Sequence, residues 1–310
     1  MLTGFDEDEL VTKTLQAGAQ DYLVKGQVTS SSLLRSIRFS IERQKTKSTK
    51  PKIVNISNGK KGKVLGFIGA KGGVGNTTVA LNTALALSQT NKNVAVVELM
   101  PYHGSFSQLL GQAPVNNLGK LLKLDPESID RNEIDTYLVN YSHCLRVLFS
   151  PQEASEYKEL TPEHISSIIK TLRGIFSYIV LDLSNYPSSA NKTAVLECDL
   201  ILLVVDSEPM SLASGKQTLE LLKLWGFDRG NLGSVLVNRI VQAQPMKLSD
   251  IKLQLGSEVV GVVPSATLAC TMSQKSGEPI IKAHLDNNFV DSIIQIASKL
   301  AGEQVASVRI

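Results

Sequence analysis

The apolar residues of this chain arrive in short unbroken runs. Val64-Leu65-Gly66-Phe67-Ile68, Asn93-Val94-Ala95-Val96-Val97-Glu98, Tyr178-Ile179-Val180-Leu181-Asp182 and Asp199 to Asp206 each read as a buried strand. A strand with one wet face alternates apolar and polar positions, whereas a continuous run marks a strand covered on both faces. Helical segments fall between them, at Val79 to Leu87 and Ser211 to Trp225. Strands alternating with helices predict an α/β fold with a mostly parallel sheet and helices on both faces. Ligand then binds at the carboxyl ends of the strands.

The turn between the first of these strands and the first helix carries the most specific chemistry. It reads Ala70-Lys71-Gly72-Gly73-Val74-Gly75-Asn76-Thr77-Thr78, a phosphate-binding loop in the strand, Gly-rich turn, helix context the motif requires. Gly72, Gly73 and Gly75 open backbone conformations closed to other residues, so successive N–H groups can point at an anion beside the positive end of the helix. The ordinary loop has a lysine just before the Ser/Thr that holds magnesium. Here Asn76 stands in that place, before Thr77, and a different lysine, Lys71, sits near the start.

Composition narrows the class. At 310 residues, 43% of them hydrophobic, the chain can bury a sizeable core, as one large domain or two smaller ones. The formal charge is only +3, yet Arg43, Lys45, Lys47, Lys50, Lys52, Lys60, Lys61 and Lys63 follow one another with no acidic residue between them. That run reads as a solvated linker, with weak contact to DNA or anionic lipid as the alternative. Three scattered cysteines, Cys144, Cys198 and Cys270, match no metal spacing and point to a reducing cytosol. No signal peptide or membrane-spanning run is found, and residues 303–310 are too short and weakly basic for an amphipathic anchor.

Lys-Gly-Gly-x-Gly-x-Thr-Thr with an early lysine resembles the deviant Walker loop of the ParA/MinD family of dimeric ATPases. The resemblance covers roughly residues 62 to 300 and implies ATP and Mg as cofactors, with residues Lys71 to Thr78 around the nucleotide and Lys71 crossing a homodimer interface to the partner's nucleotide. It implies that Asp182, closing its strand, binds magnesium beside Thr77. Where the family carries Asp-x-Asp, this chain has Glu98-Leu99-Met100: a carboxylate remains at Glu98, while Met100 can neither accept a proton nor hold a water. Gly233 to Arg239 resembles the strand whose asparagine, here Asn238 followed by Arg239, meets the adenine. Gly261 to Pro264 resembles the final strand with its proline near the base, and Asn288 to Leu300 a closing helix.

A second resemblance precedes the linker. Leu2-Thr3-Gly4, the acidic stretch Asp6 to Glu9, Gly18-Ala19-Gln20-Asp21-Tyr22-Leu23-Val24-Lys25-Gly26 and the helix Leu33 to Glu42 look like the last third of a flavodoxin-like response-regulator receiver, with Thr3 and Lys25 in the places that meet the phosphate. The acceptor aspartate is then expected upstream, outside the sequence as given. The organisation expected is a receiver-like piece at 1–44, a basic linker at 45–63, a ParA/MinD-like domain at 64–302 and a tail at 303–310.

Receiver and degenerate ATPase together resemble the CpaE/TadZ group, which helps place Tad/Flp pilus assembly machinery. This implies a cytoplasmic protein, recruited to the cell pole or inner membrane face, with pilus or secretion assembly proteins as partners. A charge-assisted hydrogen bond contributes ~1.5 to 3 kcal/mol, so losing the loop lysine weakens nucleotide binding without abolishing it. Hydrolysis depends on positioning and charge stabilisation, and removing one such donor slows it ~100- to 1000-fold. Slow or absent turnover with retained ATP-dependent dimerisation is therefore expected, Lys71 and Glu98 being what remains of the catalytic set. The alternatives are an active partitioning or positioning ATPase and a receiver-linked pseudo-ATPase scaffold.

Overall fold

The computed structural model describes residues 2–3, 23–24, 62–227, 231–238, 248–283 and 286–302. They belong to two units, one reaching to Ile56 and one starting at Ser57. In the first, β1 (Leu2–Thr3) and β2 (Leu23–Val24) pair in parallel, Leu2 opposite Leu23 and Thr3 opposite Val24. Lys25, the rest of the receiver-like region and the basic run up to Lys61 lie outside the described residues.

In the second unit, among the described residues, eight strands form one sheet: β3 (Lys63–Gly69), β4 (Val94–Glu98), β5 (Val139–Ser142), β6 (Leu145–Leu148), β7 (Tyr178–Leu183), β8 (Leu200–Asp206), β9 (Leu232–Asn238) and β10 (Glu258–Pro264). Their order is β10-β9-β8-β3-β7-β4-β6-β5, every neighbouring pair parallel except β5 with β6. The connections carry α1 (Asn76–Ser88), α2 (Phe106–Leu109), α3 (Leu118–Leu121), α4 (Arg131–Tyr137), α5 (Pro162–Arg173), α6 (Ser189–Leu196), α7 (Pro209–Leu224), α8 (Leu248–Leu255), α9 (Thr267–Ser276), α10 (Ile280–Ala283) and α11 (Asn287–Ala301).

The apolar runs divide between two cores by the two-residue period of a strand. Val64, Ile68, Ala95, Val97, Ile179, Leu181, Ile201 and Leu203 face one layer, built from α5, α6, α7 and α8. Leu65, Phe67, Val94, Val96, Val180, Leu202 and Val204 face the other, built mainly from α1 and α11. The unbroken hydrophobicity of these strands thus reflects burial on both sides. The β5–β6 edge differs: β5 alternates between half-buried and exposed positions, as an antiparallel edge strand with one wet face does.

Register then places the chemistry. Asp182 of β7 lies opposite Phe67 of β3 on one side and Glu98 of β4 on the other. The Gly-rich loop leaves the carboxyl end of β3, so loop, Glu98 and Asp182 meet at one edge of the sheet. No helix among the described residues is long and apolar enough to cross a membrane.

Phe67 is fully buried between β3 and the α1 layer. Its truncation leaves a cavity that close-packed neighbours cannot fill, so Phe67→Ala lowers stability by about 3–5 kcal/mol. Urea unfolding followed by circular dichroism checks this, a shift under 1 kcal/mol being the contrary result.

Candidate functional site

The loop residues after β3 form the floor of a cleft of about 550 Å³. Gly75, the residue before α1, has φ 96° and Gly73 has φ 79°, both left-handed conformations that favour glycine. Gly72 is outside the left-handed set; what distinguishes it is space, since a Cβ there, as at Gly73, would meet nothing within 4 Å. No side chain caps the start of α1, so its first-turn N–H groups face the cleft without a competing acceptor of that kind. This open, glycine-lined helix terminus fits a phosphate chain. Val74 is buried in the core, so its backbone alone is placed for such a ligand.

Asn76 is turned inward. Its Nδ2 donates to Asp182 Oδ1 at 2.7 Å and to Phe67 O at 3.1 Å, with Leu183 O at 3.5 Å. Asp182 is almost wholly buried; no donor lies in hydrogen-bond distance of its Oδ2 or of Asn76 Oδ1, although the Thr77 hydroxyl is near enough to act on the carboxyl. Burial pushes the Asp182 carboxyl up to about 7; Thr77 and Asn76 oppose the rise, and the nearby Glu98 carboxylate adds to it. A buried carboxylate oxygen without a partner, beside a threonine hydroxyl at the foot of a phosphate cradle, fits a divalent cation. Among the described residues no group of three or more His, Cys, Asp or Glu is gathered that could hold a metal by itself. Magnesium at Thr77 and Asp182 would complete its shell with water and phosphate oxygens, supplying positive charge to the phosphates.

Glu98 also lines the cleft, but its carboxylate is engaged with backbone. Oε1 accepts from Ser105 N at 2.5 Å and Phe106 N at 3.0 Å, Oε2 from Ser150 N at 3.2 Å, and Ser150 Oγ donates to Glu98 O at 2.9 Å. It thereby ties the end of β4 to the start of α2 and the residue after Phe149. Burial raises its pKa, opposed by these N–H donors. A Cβ on Gly104 would lie 2.0 Å from Glu98 Oε2, so glycine is needed for the carboxylate to occupy this place. Met100 borders the same cleft, as do Tyr102 and His103, whose rings lie 4.4 Å apart.

Lys71 is held within its own chain. Its Nζ hydrogen-bonds Glu208, just before α7, and lies 3.7 Å from Asp206 at the end of β8. The Glu208 bond is the main cause of its raised pKa, burial acting against it and Asp206 adding to it. A neighbouring hollow of about 220 Å³ is lined by Gly75, Thr78, Val237, Pro264, Cys270, Gln274 and Phe289, among others. Pro264 lies opposite Asn238 across β10 and β9. The side chain of Asn238 and the whole of Arg239 lie outside the described residues. Sequence reading missed the Glu208 and Asp206 partners of Lys71, for which the signal was a pair of carboxylates closing β8, and it missed Cys270, Gln274 and Phe289 around the hollow.

A parallel sheet with a phosphate-type loop at the carboxyl end of a central strand defines the P-loop class. A family model described as AAA domain matches residues 62–226, and the chain belongs to that family. Its fold is that of the ParA/MinD-type P-loop ATPases. Septum site-determining protein MinD of Thermotoga maritima is 23% identical, the match covering 79% of this chain and 90% of the relative. A ParA family ATPase from Chlorobium tepidum superposes with a TM-score of 0.69 at 23% identity, covering 77% of this chain and 99% of the other. The septum site-determining protein MinD of Pyrococcus horikoshii, solved with Mg-ADP, gives a TM-score of 0.64 at 18% identity, covering 79% and 98%.

Between the ordinary aspartate value of 3.8 and about 7, folded Asp182 keeps a proton that the unfolded chain has released. The folded state then binds more protons, so this group makes nucleotide-free protein lose stability as pH rises through that window. Thermal melts from pH 4.5 to 7.5 show the decline in the wild type and a shallower one in Asp182→Asn. Parallel curves for the two proteins are the contrary outcome.

Proposed function

We propose that the protein is an ATP-binding localisation factor that closes as a homodimer around nucleotide and hydrolyses it slowly or not at all. The observation that carries this reading is a cradle open to phosphates beside two vacated catalytic positions: Asn76 in the place of the loop lysine and bonded to protein groups, Met100 in the place of the water-orienting carboxylate. Removing one transition-state donor costs ~100- to 1000-fold in rate, and both losses fall in this site. They do not multiply, because residues acting as a unit are not additive. Glu98, the carboxylate left near that position, is committed to backbone donors and serves as a bracket for the loop at 101–105.

Dimerisation is supported by the cleft's surroundings. Tyr102 on the cleft lining and Tyr186, next to the lining residue Asn185, are exposed, and Met210 is exposed as the second residue of the helix that follows Glu208. Lys71 at the cleft edge is the side chain that would reach a partner's nucleotide, and doing so means exchanging Glu208 and Asp206 for phosphate. Asn238, Arg239 and Pro264 are proposed to surround the adenine, in or beside the hollow next to the loop.

The finer assignment is to the CpaE/TadZ type, acting with Tad/Flp pilus or secretion assembly proteins in the cytoplasm, at the pole or inner membrane face. It rests on the degenerate loop and the receiver-like residues; parallel pairing of Leu2–Thr3 with Leu23–Val24 is the arrangement that two adjacent receiver strands would have. The basic residues from 43 to 63 are proposed to make no more than weak contact with DNA or anionic lipid. An active positioning ATPase, the second reading, is supported by the MinD relatives and opposed by Met100.

Light scattering coupled to size exclusion, with ATP, ADP or no nucleotide plus magnesium, tests the reading. Wild type is expected to dimerise with ATP only and Lys71→Ala to stay monomeric. Phosphate release is expected at least ~100-fold below that of an enzyme retaining both groups. Rapid release that Lys71→Ala abolishes would establish the active reading instead.

A further inference from the structure

The cleft poses a charge problem. Lys71 is the one Lys or Arg side chain among the described residues lining it, and Glu208 and Asp206 already neutralise that lysine. Asp182 and Glu98 are both buried against the same cleft. An ordinary loop lysine answers such a deficit directly by meeting the β- and γ-phosphates. Asn76 cannot do the same, since it carries no charge and its amide protons are directed at Asp182 Oδ1 and Phe67 O.

We propose that Asn76 is a positioning residue for Asp182: it fixes one carboxylate oxygen and leaves the other facing a divalent cation, so that the site takes nucleotide as the metal complex and scarcely at all without metal. The inference rests on the nucleotide-site reading above and deepens it. Three features of the geometry carry it. The carboxamide joins the first residue of α1 to two neighbouring strands, through Phe67 O of β3 and Asp182 of β7. Fixing Oδ1 at 2.7 Å sets the rotation of the carboxylate and thereby the direction of Oδ2. That oxygen and Asn76 Oδ1 are buried acceptors with no donor in hydrogen-bond distance, and a buried carboxylate oxygen left in that state near the Thr77 hydroxyl is satisfied by a cation. The amide thus keeps the structural part of a loop lysine's role and passes the electrostatic part to the metal.

Calorimetric titration of ADP into the full chain, in magnesium and in EDTA, tests this with wild type, Asn76→Ala and Asn76→Lys, each checked for folding by circular dichroism. ADP separates binding from dimerisation and cleavage. In the wild type magnesium is expected to raise affinity at least ~100-fold, equivalent to two factors of ten at ~1.4 kcal/mol each. Asn76→Ala is expected to lose tenfold or more in magnesium with little change in EDTA, because only the metal-bound form uses the Asp182 geometry. Asn76→Lys brings a charge of its own, so its affinity in EDTA is expected to rise tenfold or more and the gain from magnesium to shrink. Equal losses for Asn76→Ala in both buffers, or wild-type affinity indifferent to magnesium, would overturn the inference while leaving nucleotide binding intact. Should no variant bind ADP or ATP in either buffer, the nucleotide-site reading itself fails, and the inference with it.

Discussion

A carboxylate buried at the end of a central strand and the amide that meets it organise this molecule's chemistry. Asp182 has β3 on one side and β4 on the other, so the register that buries the apolar runs also sets Phe67, Asp182 and Glu98 side by side. Asn76 then ties the first turn of α1 to that row. An isolated buried charge is costly unless paired or hydrogen-bonded, and here two carboxylates are buried with amides and backbone N–H groups as partners and, among the described residues, no buried Lys or Arg. The raised pKa of both groups is the cost of that arrangement. A cation held at Thr77 and Asp182, as proposed, would relieve it.

Much of the fold was legible in the chain because its central strands are covered on both faces, and such strands announce themselves as unbroken apolar runs. The strand at Lys63–Gly69 and the helix at Asn76–Ser88 extend the segments read from pattern by a residue or a turn at each end. Positive φ at Gly73 and Gly75 was foreshadowed by the glycine spacing, whereas Gly72 turned out to matter for open space. The β5–β6 edge was not read, because a four-residue strand with one wet face has too little pattern to stand out from a loop.

The sequence named residues that the fold gathers around one cleft, Lys71 to Thr78, Glu98 and Asp182, but not the way their side chains point. That Asn76 replaces a lysine is visible in sequence; that it points back into the protein depends on an aspartate 106 residues away. Glu98 looked like the remnant of a catalytic pair. Its engagement with Ser105, Phe106 and Ser150 depends on the chain folding back at Gly104, which no local pattern encodes. The hold of Glu208 on Lys71 is likewise a long-range consequence of strand order, since β8 lies beside β3.

The proposed reading is of a nucleotide site in which the grip is kept and the cutting groups are gone. Identifying the nucleotide that stays with the protein tests this most directly. After incubation with ATP and magnesium for several turnovers' worth of time for an ordinary enzyme of this fold, the protein is separated from free nucleotide, denatured, and its bound nucleotide resolved by chromatography. Intact ATP in near-stoichiometric amount is the predicted result, and recovery of ADP, or of no nucleotide, would contradict the account.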